Sequence, residues 1–558
     1  MIPSVSSLAP DLPELRKARG AFFTPPAIAE FLAAWAIDRN PAARVLDPTC
    51  GEAVFLTAAG RQLRTLGATP ADLDHQVYGV DLHQASLEAA MALLELEGLD
   101  AHLEAGDFFE FSPTRSTLPA MDAVIGNPPF VRYQHHAGEA RKRSAAAALG
   151  QGVRLSALAS SWAALLVHAC GFLKPEGRLA IVLPAELLTV HYAEPVRRWL
   201  RQRFAAVNLV LFERLQFSDA LEKVVLLTAQ GSGGCESFSL FHVENAEDLG
   251  QLRPFDHVNV KPAAEGKWTD LLLPGRTRQL FKQVTSDRFV SLGDYGAPEL
   301  GTVTGANHYF ALSEGTRRNF GLTHEQVARI SPPGTRHLHG LSFSRRQWER
   351  LRDHGESVWL LRPPPDDATP ELRRYLEHGE RRGVPDAYKC RVRTPWWRPP
   401  LVSPPDLFFT YMSHRYPRLV TNSARASFLN SMHGVRLRSG APAAAKAALP
   451  LLALNSVSLL GAELFGRSYG GGVLKMEPRE AALLPVPGVE VLDAAWRRLG
   501  PERSRLNREL RAGRWASVSE RVDGVLLGEV LGLGPGEVSA LREAADSLRA
   551  RRLGGDER

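Results

Sequence analysis

Asn127, Pro128, Pro129 and Phe130 are the residues of this 558-residue chain whose types and order suit chemistry on a nitrogen atom. They follow Gly126 and an apolar run, Met121 to Ile125, that reads as a buried strand with Asp122 at its start. The two prolines cannot donate to a ladder, and each fixes φ at about −65°. Asn127 is therefore placed at a strand end, with its carboxamide off the sheet edge. That carboxamide carries an acceptor oxygen and two donor hydrogens. The Pro128 carbonyl is a second acceptor, left without a ladder partner. Two acceptors converging on one point can hold both hydrogens of an exocyclic amino group. They draw its nitrogen toward tetrahedral geometry and free the lone pair for attack. Phe130 adds a flat apolar face beside the same point. Taken alone, the four residues also read as a structural turn with a buried Phe.

Three acids stand at corresponding places upstream. Arg44 to Leu56 reads as strand, tight loop and helix, with Asp47 at the strand end and Pro48, Thr49, Cys50, Gly51, Glu52 and Ala53 in the loop. A strand-end carboxylate followed by a turn of small residues lets backbone approach a ligand. Alanine tolerates positive φ poorly, so the loop is expected to be right-handed helical or extended at Ala53. No phosphate-binding Lys follows, which excludes a P-loop. Gln76 to Asp81 is a second strand ending in an acid, placed to accept both hydroxyls of a ribose. Gly106-Asp107-Phe108-Phe109 ends a third αβ unit. Each acid alone reads as a solvated loop residue. Asp47, Asp81, Asp107 and Asn127 at four successive strand ends converge on one crevice of a doubly wound sheet.

Further elements surround these positions. Thr24-Pro25-Pro26 opens a helix predicted to reach Ile37, with Pro26 near its start, Thr24 near the cap, and Ile28, Phe31, Leu32 and Trp35 on one face. After Val131 comes a basic, Ala-rich stretch to Gln151, in which Arg141, Lys142 and Arg143 read as phosphate contacts or as a solvated charge run. Ser160 to Leu173 is predicted to be a helix, Lys174 to Gly177 a turn, and Arg178–Leu183, Val207–Phe212 and Lys223–Ala229 strands. Gly231-Ser232-Gly233-Gly234 marks the approach to the end of a first domain.

The chain's length predicts two or three domains. Hydrophobic content of 44% and charged content of 23% are those of a soluble globular protein. No long uncharged apolar stretch occurs, so no membrane span is expected. Met1 to Leu15 lacks the pattern of a signal peptide, and a cytoplasmic location is expected. Cys50, Cys170, Cys235 and Cys390 lie far apart, which predicts reduced thiols and no structural zinc. A net charge of +6 fits a polyanionic partner.

Asn127-Pro128-Pro129-Phe130 resembles the Asn-Pro-Pro-Phe/Tyr motif of S-adenosyl-L-methionine-dependent methyltransferases that act on amino nitrogens. Two families share it: the N6-adenine DNA methyltransferases and the glutamine-N5 methyltransferases of release factors. The order of Thr24-Pro25-Pro26, the loop Asp47-Pro48-Thr49-Cys50-Gly51, the acids Asp81 and Asp107, and the tetrapeptide is similar to that of the adenine enzymes. The glutamine enzymes lack the upstream Thr-Pro-Pro and a large C-terminal domain. Ala53 stands where the family has a second glycine. The resemblance, over about residues 20 to 490, is to the gamma-class, long single-chain type of restriction–modification and phage-defence systems.

It implies an α/β fold: a class I methyltransferase domain with a Rossmann-like doubly wound sheet, then a mixed α+β target-recognition domain and a helical C-terminal segment. The implied domains are 1–245, a connector 246–290, 291–490 and 491–558. The implied cofactor is S-adenosyl-L-methionine. Its binding residues would be Thr24 at the methionine end, Asp47, Pro48, Cys50, Gly51, Asp81, Leu82, Asp107 at the adenine amino group, Phe108 against the ring, and Asn127. Catalysis would fall to Asn127, Pro128, Pro129 and Phe130, with no metal. Phe217 matches the place of an aromatic that stacks on the target base opposite Phe130. The implied partners are double-stranded DNA and a separately encoded restriction endonuclease or defence-system proteins. Within the C-terminal half, Gly301 to Asn307, Pro395-Trp396-Trp397 and Tyr469 to Met476 stand out as candidate ligand-facing segments, although a Trp pair reads first as core. Ala53 leaves open a different class of function, a catalytically decayed protein that binds DNA for specificity.

Overall fold

The structure, a computed structural model, describes residues 24–114, 117–131, 138–212, 224–253 and 256–553. It divides into two compact units, with the division between Leu272 and Leu273.

The first unit is built on a nine-stranded sheet. Helix α1 (Pro26–Ile37) starts on a proline and buries Ile28, Leu32 and Ala33. Then come β1 (Val45–Asp47), α2 (Val54–Thr65), β2 (Val77–Asp81), α3 (Gln84–Leu96), β3 (His102–Ala105) and β4 (Met121–Gly126). Helices α4 (Gly138–Gly150) and α5 (Ser161–Ala169) lead to β5 (Leu173–Pro184), α6 (Glu194–Arg203), β6 (Ala206–Phe212), β7 (Val224–Gln230), β8 (Phe238–Val243) and β9 (Val258–Val260). The strand order is β3-β2-β1-β4-β5-β7-β6-β8-β9. The first five are parallel, and β7 runs antiparallel to both β5 and β6. Central strands are continuous apolar runs because helices cover a parallel sheet on both faces; Val124, Ile125, Leu179, Ile181 and Leu226 are completely buried. The connections leave β1 and β4 toward opposite edges of the sheet. Their carboxyl ends thus form the switch point where such sheets bind ligands.

Two expectations need correction here. Residues 174–177, predicted as a turn, lie within β5 as a register jump: Met121 pairs with Leu173 and Ala123 with Arg178. Lys174 turns back to bind Asp122 at 2.7 Å, which holds this irregular stretch against β4. The first unit also runs past residue 245. Strand β8 pairs with β6, and β9 adds an edge. The four-residue Gly-Ser-Gly-Gly segment is a turn between β7 and β8, with positive φ at Gly231, Gly233 and Gly234. The segment 246–290 is accordingly no separate connector. Its first part completes the sheet, and its helix Gly275–Asp287 belongs to the second unit. Strands of three residues or mixed polarity give too weak a pattern to read from sequence.

Among its described residues the second unit holds a five-stranded mixed sheet in the order Pro298–Leu300, His433–Val435, Leu407–Phe409, Leu419–Asn422, Ser342–Phe343, with two three-stranded antiparallel sheets and a two-stranded one. Tyr309, Phe310, Trp348, Phe408 and Phe428 fill its core. Trp396 packs against that core, its ring 5.9 Å from Tyr309, so the core reading of this residue holds. The helices after residue 490 fold into the same unit instead of standing apart. Buried Asp523 accepts from the Ser456 N–H at 2.7 Å and hydroxyl at 2.6 Å and pairs with Arg542 of the last helix at 2.9 Å. Among the described residues no single helix is long and apolar enough to cross a membrane.

Candidate active site

The site grows from the touching ends of β1 and β4. At Gly126, φ is 143°, and a Cβ built there would lie 2.6 Å from Asp47 Oδ1. Only glycine lets the two strand ends approach this closely. Asp47 is buried, and its Oδ1 accepts from the Thr49 N–H at 3.0 Å. Burial pushes its carboxyl up to about 7; the Thr49 N–H opposes the shift and the negative Asp81 adds to it. Burial, with Asp47 and Asp81 nearby, also drives the Cys50 thiol far up, which makes it an inert filler under the loop and not a nucleophile.

Asp81 organises the loop after β1. Its Oδ2 accepts from the Gly51 N–H at 2.9 Å and its Oδ1 from the His83 N–H at 2.8 Å. A carboxylate holding two N–H groups retains lone pairs for further donors. Leu82, directly after it, is 64% exposed. An exposed apolar side chain beside a strand-end acid suits the flat face of a nucleoside.

Ala53 overturns its expected conformation. It sits in the left-handed region, with φ 67° and ψ 22°, as the N-cap residue of α2. The turn explains it: the Ala53 N–H bonds to Cys50 O at 2.9 Å while the Ala53 carbonyl accepts from the Thr57 N–H at 2.8 Å. The loop therefore keeps a glycine-like shape with an alanine in it, at a cost of about 1 kcal/mol. Ala53→Gly is expected to raise the melting temperature by a few degrees without loosening the loop. A lower melting temperature would mean that the completely buried methyl stabilises more than the backbone strain costs.

Asp107 caps a short 3-10 turn, its Oδ1 accepting from the Phe109 N–H at 3.1 Å. Its Oδ2 lies 3.3 Å from Arg143 of α4, which also pairs with Glu110; Lys142 pairs with Glu139 at 2.6 Å. Lys142 and Arg143, read from sequence as phosphate contacts or a solvated charge run, are thus engaged with acids of their own unit. Phe108 is only 3% exposed, packed on His168 and Phe172 with ring centroids 5.1 and 5.2 Å away, while Phe109 is the half-buried member of the pair. The structure turns Phe108 into the core instead of presenting it to a ligand.

Asn127 lies just past β4. Its Nδ2 donates to Thr24 Oγ1 at 3.1 Å, and its Oδ1 is buried with no donor. A buried, unpaired acceptor is costly and points to a function. Among the described residues no group donates to the Pro128 carbonyl. Phe130 is 8% exposed, so most of its ring is enclosed. Phe217 lies outside the described residues. Ser161, which the sequence reading passed over, holds the loop: its hydroxyl donates to Pro129 O at 2.5 Å and accepts from the Val131 N–H at 3.0 Å. The signal available was the pair Ser160-Ser161 opening an apolar helix, a usual capping pattern. Among the described residues no group of three or more His, Cys, Asp or Glu is arranged to hold a metal ion.

Comparison with known proteins matches both halves of the chain. A family model described as N-6 DNA Methylase matches residues 11–210, and one described as Type II methyltransferase M.Eco57I, C-terminal domain, matches residues 265–527. The chain is similar to the type II methyltransferase M.XamI of Xanthomonas campestris pv. amaranthicola, 26% identical over 491 residues, covering 85% of this chain and 86% of that protein. It is also similar to the type II methyltransferase M.AccI of Acinetobacter calcoaceticus, 20% identical over 480 residues, covering 84% of this chain and 85% of that protein. Among solved structures, the type IIL restriction–modification enzyme MmeI in complex with DNA aligns with a TM-score of 0.52 at 13% identity, covering 96% of this chain and 80% of that one. At that identity the likeness is one of fold.

Proposed function

The chain belongs to the N-6 DNA methylase family, as a long single-chain DNA methyltransferase of restriction–modification type, and from that premise we propose that it methylates the N6 amino group of an adenine turned out of double-stranded DNA. S-adenosyl-L-methionine is the proposed donor. The observation that carries this reading is the buried Asn127 Oδ1, an acceptor without a donor, beside the unengaged Pro128 carbonyl. Together they can take both hydrogens of one amino group.

The residues present fit the donor. Asp81 offers free lone pairs for ribose hydroxyls, Leu82 an exposed apolar face, and Gly126 the close approach of backbone to Asp47. When bound, the donor supplies a methyl already activated by a positive sulfonium. The protein's share is positioning and preorganised polar contact. Asn127 Oδ1 and the Pro128 carbonyl hold the amino hydrogens and direct the nitrogen lone pair toward the donor. The proton that the methylated nitrogen sheds passes to water. Asp107, with Oδ1 on the Phe109 N–H and Oδ2 3.3 Å from Arg143, keeps further lone pairs on both oxygens and is proposed to accept from the cofactor's adenine amino group. The alternative reading, a decayed protein that binds DNA for specificity, rests on Ala53; the glycine-like backbone of the loop there favours the enzyme. A separately encoded endonuclease is a further proposed partner.

A paired, stacked adenine must leave the helix to reach Asn127, at a cost of a few kcal/mol. Phe130 is the proposed offset, since base–aromatic stacking contributes roughly 1–3 kcal/mol per base. With 2-aminopurine at the target position, the wild type is expected to give a modest fluorescence rise. Phe130→Ala is expected to change its amplitude and to slow transfer. Unaltered rate and amplitude would make Phe130 a core residue only. Methylation-sensitive sequencing of DNA from cells expressing the chain tests the proposal as a whole. It is expected to show N6-methyladenine at one recurrent sequence, and its absence would count against the reading.

A further inference from the structure

The tetrapeptide after β4 is held from two sides by hydroxyls that belong to two different helices. Thr24 lies two residues before α1, is 5% exposed, and accepts from Asn127 Nδ2 at 3.1 Å. Ser161, in the first turn of α5 and also 5% exposed, holds Pro129 O and the Val131 N–H; its own N–H bonds to Val131 O at 3.0 Å. Between these attachments lies Pro128, with φ fixed by its own ring and ψ restricted by that of Pro129. Among the described residues, what remains without a donor is Asn127 Oδ1 and the Pro128 carbonyl.

A carboxamide can turn end for end, exchanging its acceptor for a donor. An Asn127 presenting its NH2 to the substrate would repel an amino group. The Thr24 hydroxyl accepts from Nδ2 and holds the carboxamide in place, and in that orientation Oδ1 is the atom left for the substrate. Ser161 does the corresponding task for the main chain: it takes the Pro129 carbonyl out of competition and fixes the plane of the Pro129–Phe130 peptide, directly after the one that carries the Pro128 carbonyl. We propose that Thr24 and Ser161 are positioning residues for methyl transfer, two buried hydroxyls that hold the acceptor pair in its productive orientation. This rests on the adenine-methyltransferase reading and assigns Thr24 an effect on the chemical step beyond any contact with the cofactor.

The two helices are anchored independently of the loop. Ile28 and Leu32 of α1 and Trp162 and Leu166 of α5 are completely buried in the sheet's core. The hydroxyls therefore act from rigid supports, and a small misplacement at a reacting centre can cost up to about a hundredfold in rate.

The test uses full-length protein, S-adenosyl-L-methionine and unmethylated genomic DNA, and measures kcat, the cofactor Kd by calorimetry, and the melting temperature. Thr24→Val, nearly the same in shape, is expected to lower kcat at saturating cofactor at least tenfold, and Thr24→Ser is expected to restore most of the rate. Ser161→Ala is expected to lower kcat similarly. Should it not fold, Ser161→Cys keeps the volume while weakening the hydrogen bonds. The proposal is overturned if kcat is unchanged in Thr24→Val, if its loss appears as weaker cofactor binding at constant kcat, or if Thr24→Ser is as slow as Thr24→Val. Wild type and Asn127→Ala run alongside separate the two levels. A wild type that transfers no methyl to DNA refutes the functional reading. A wild type that transfers, with Asn127→Ala inactive and Thr24→Val at full rate, refutes the positioning role alone.

Discussion

Asn127→Ala is expected to reduce methyl transfer by about 10²–10³-fold, the usual effect of removing one preorganised polar partner from a reacting centre. The substitution deletes the buried acceptor and leaves the Pro128 carbonyl to hold the amino group alone. It also leaves Thr24 Oγ1 without the Nδ2 it accepts from. Cofactor affinity is expected to stay within a few-fold, because the ribose and nucleoside contacts are assigned to Asp81, Leu82 and Asp107. Labelled-methyl transfer and calorimetric titration on the same preparation check both parts. Transfer near the wild-type rate would remove Asn127 from the chemistry.

Asp81→Ala is expected to weaken cofactor binding by about 1.5–3 kcal/mol, the range for a hydrogen-bond partner that carries charge. The carboxylate has two tasks: it offers lone pairs to a ribose, and it pins the Gly51 and His83 N–H groups. Asp81→Asn separates them. It keeps one acceptor for the loop while losing the charge, and is expected to fall between wild type and alanine. DNA affinity measured without cofactor is expected to change little in either. An unaltered cofactor Kd in Asp81→Ala would make this acid a loop-building residue only.

The acids and Asn127 were legible because apolar runs ending in Asp or in Asn-Pro-Pro mark strand ends, and a doubly wound sheet gathers its carboxyl ends. The structure joins Asp47 to Gly126 and Asp81 to Gly51 accordingly. Other features depend on contacts the local sequence does not encode. Phe108 and Phe109 are adjacent aromatics, and which of them faces the core is decided by His168 and Phe172, roughly sixty residues away in the chain. Ala53 shows a residue preference overridden by a hydrogen-bonded turn that needs the left-handed conformation. Ser161 looks like a helix cap from its neighbours alone, and only the fold brings its hydroxyl to Pro129 and Val131. The boundary at 245 was misplaced because β9 offers three residues, two of them exposed, where a buried strand would have shown an apolar run.

The central claim is that this protein puts a methyl group on the N6 nitrogen of adenine in DNA. Purified protein incubated with unmethylated genomic DNA and S-adenosyl-L-methionine carrying a deuterated methyl, followed by nucleoside mass spectrometry, tests it directly. The account predicts deuterium in N6-methyl-2′-deoxyadenosine, dependent on both Asn127 and double-stranded DNA. Deuterium in a methylated cytosine, in protein, or in no nucleoside at all would contradict it.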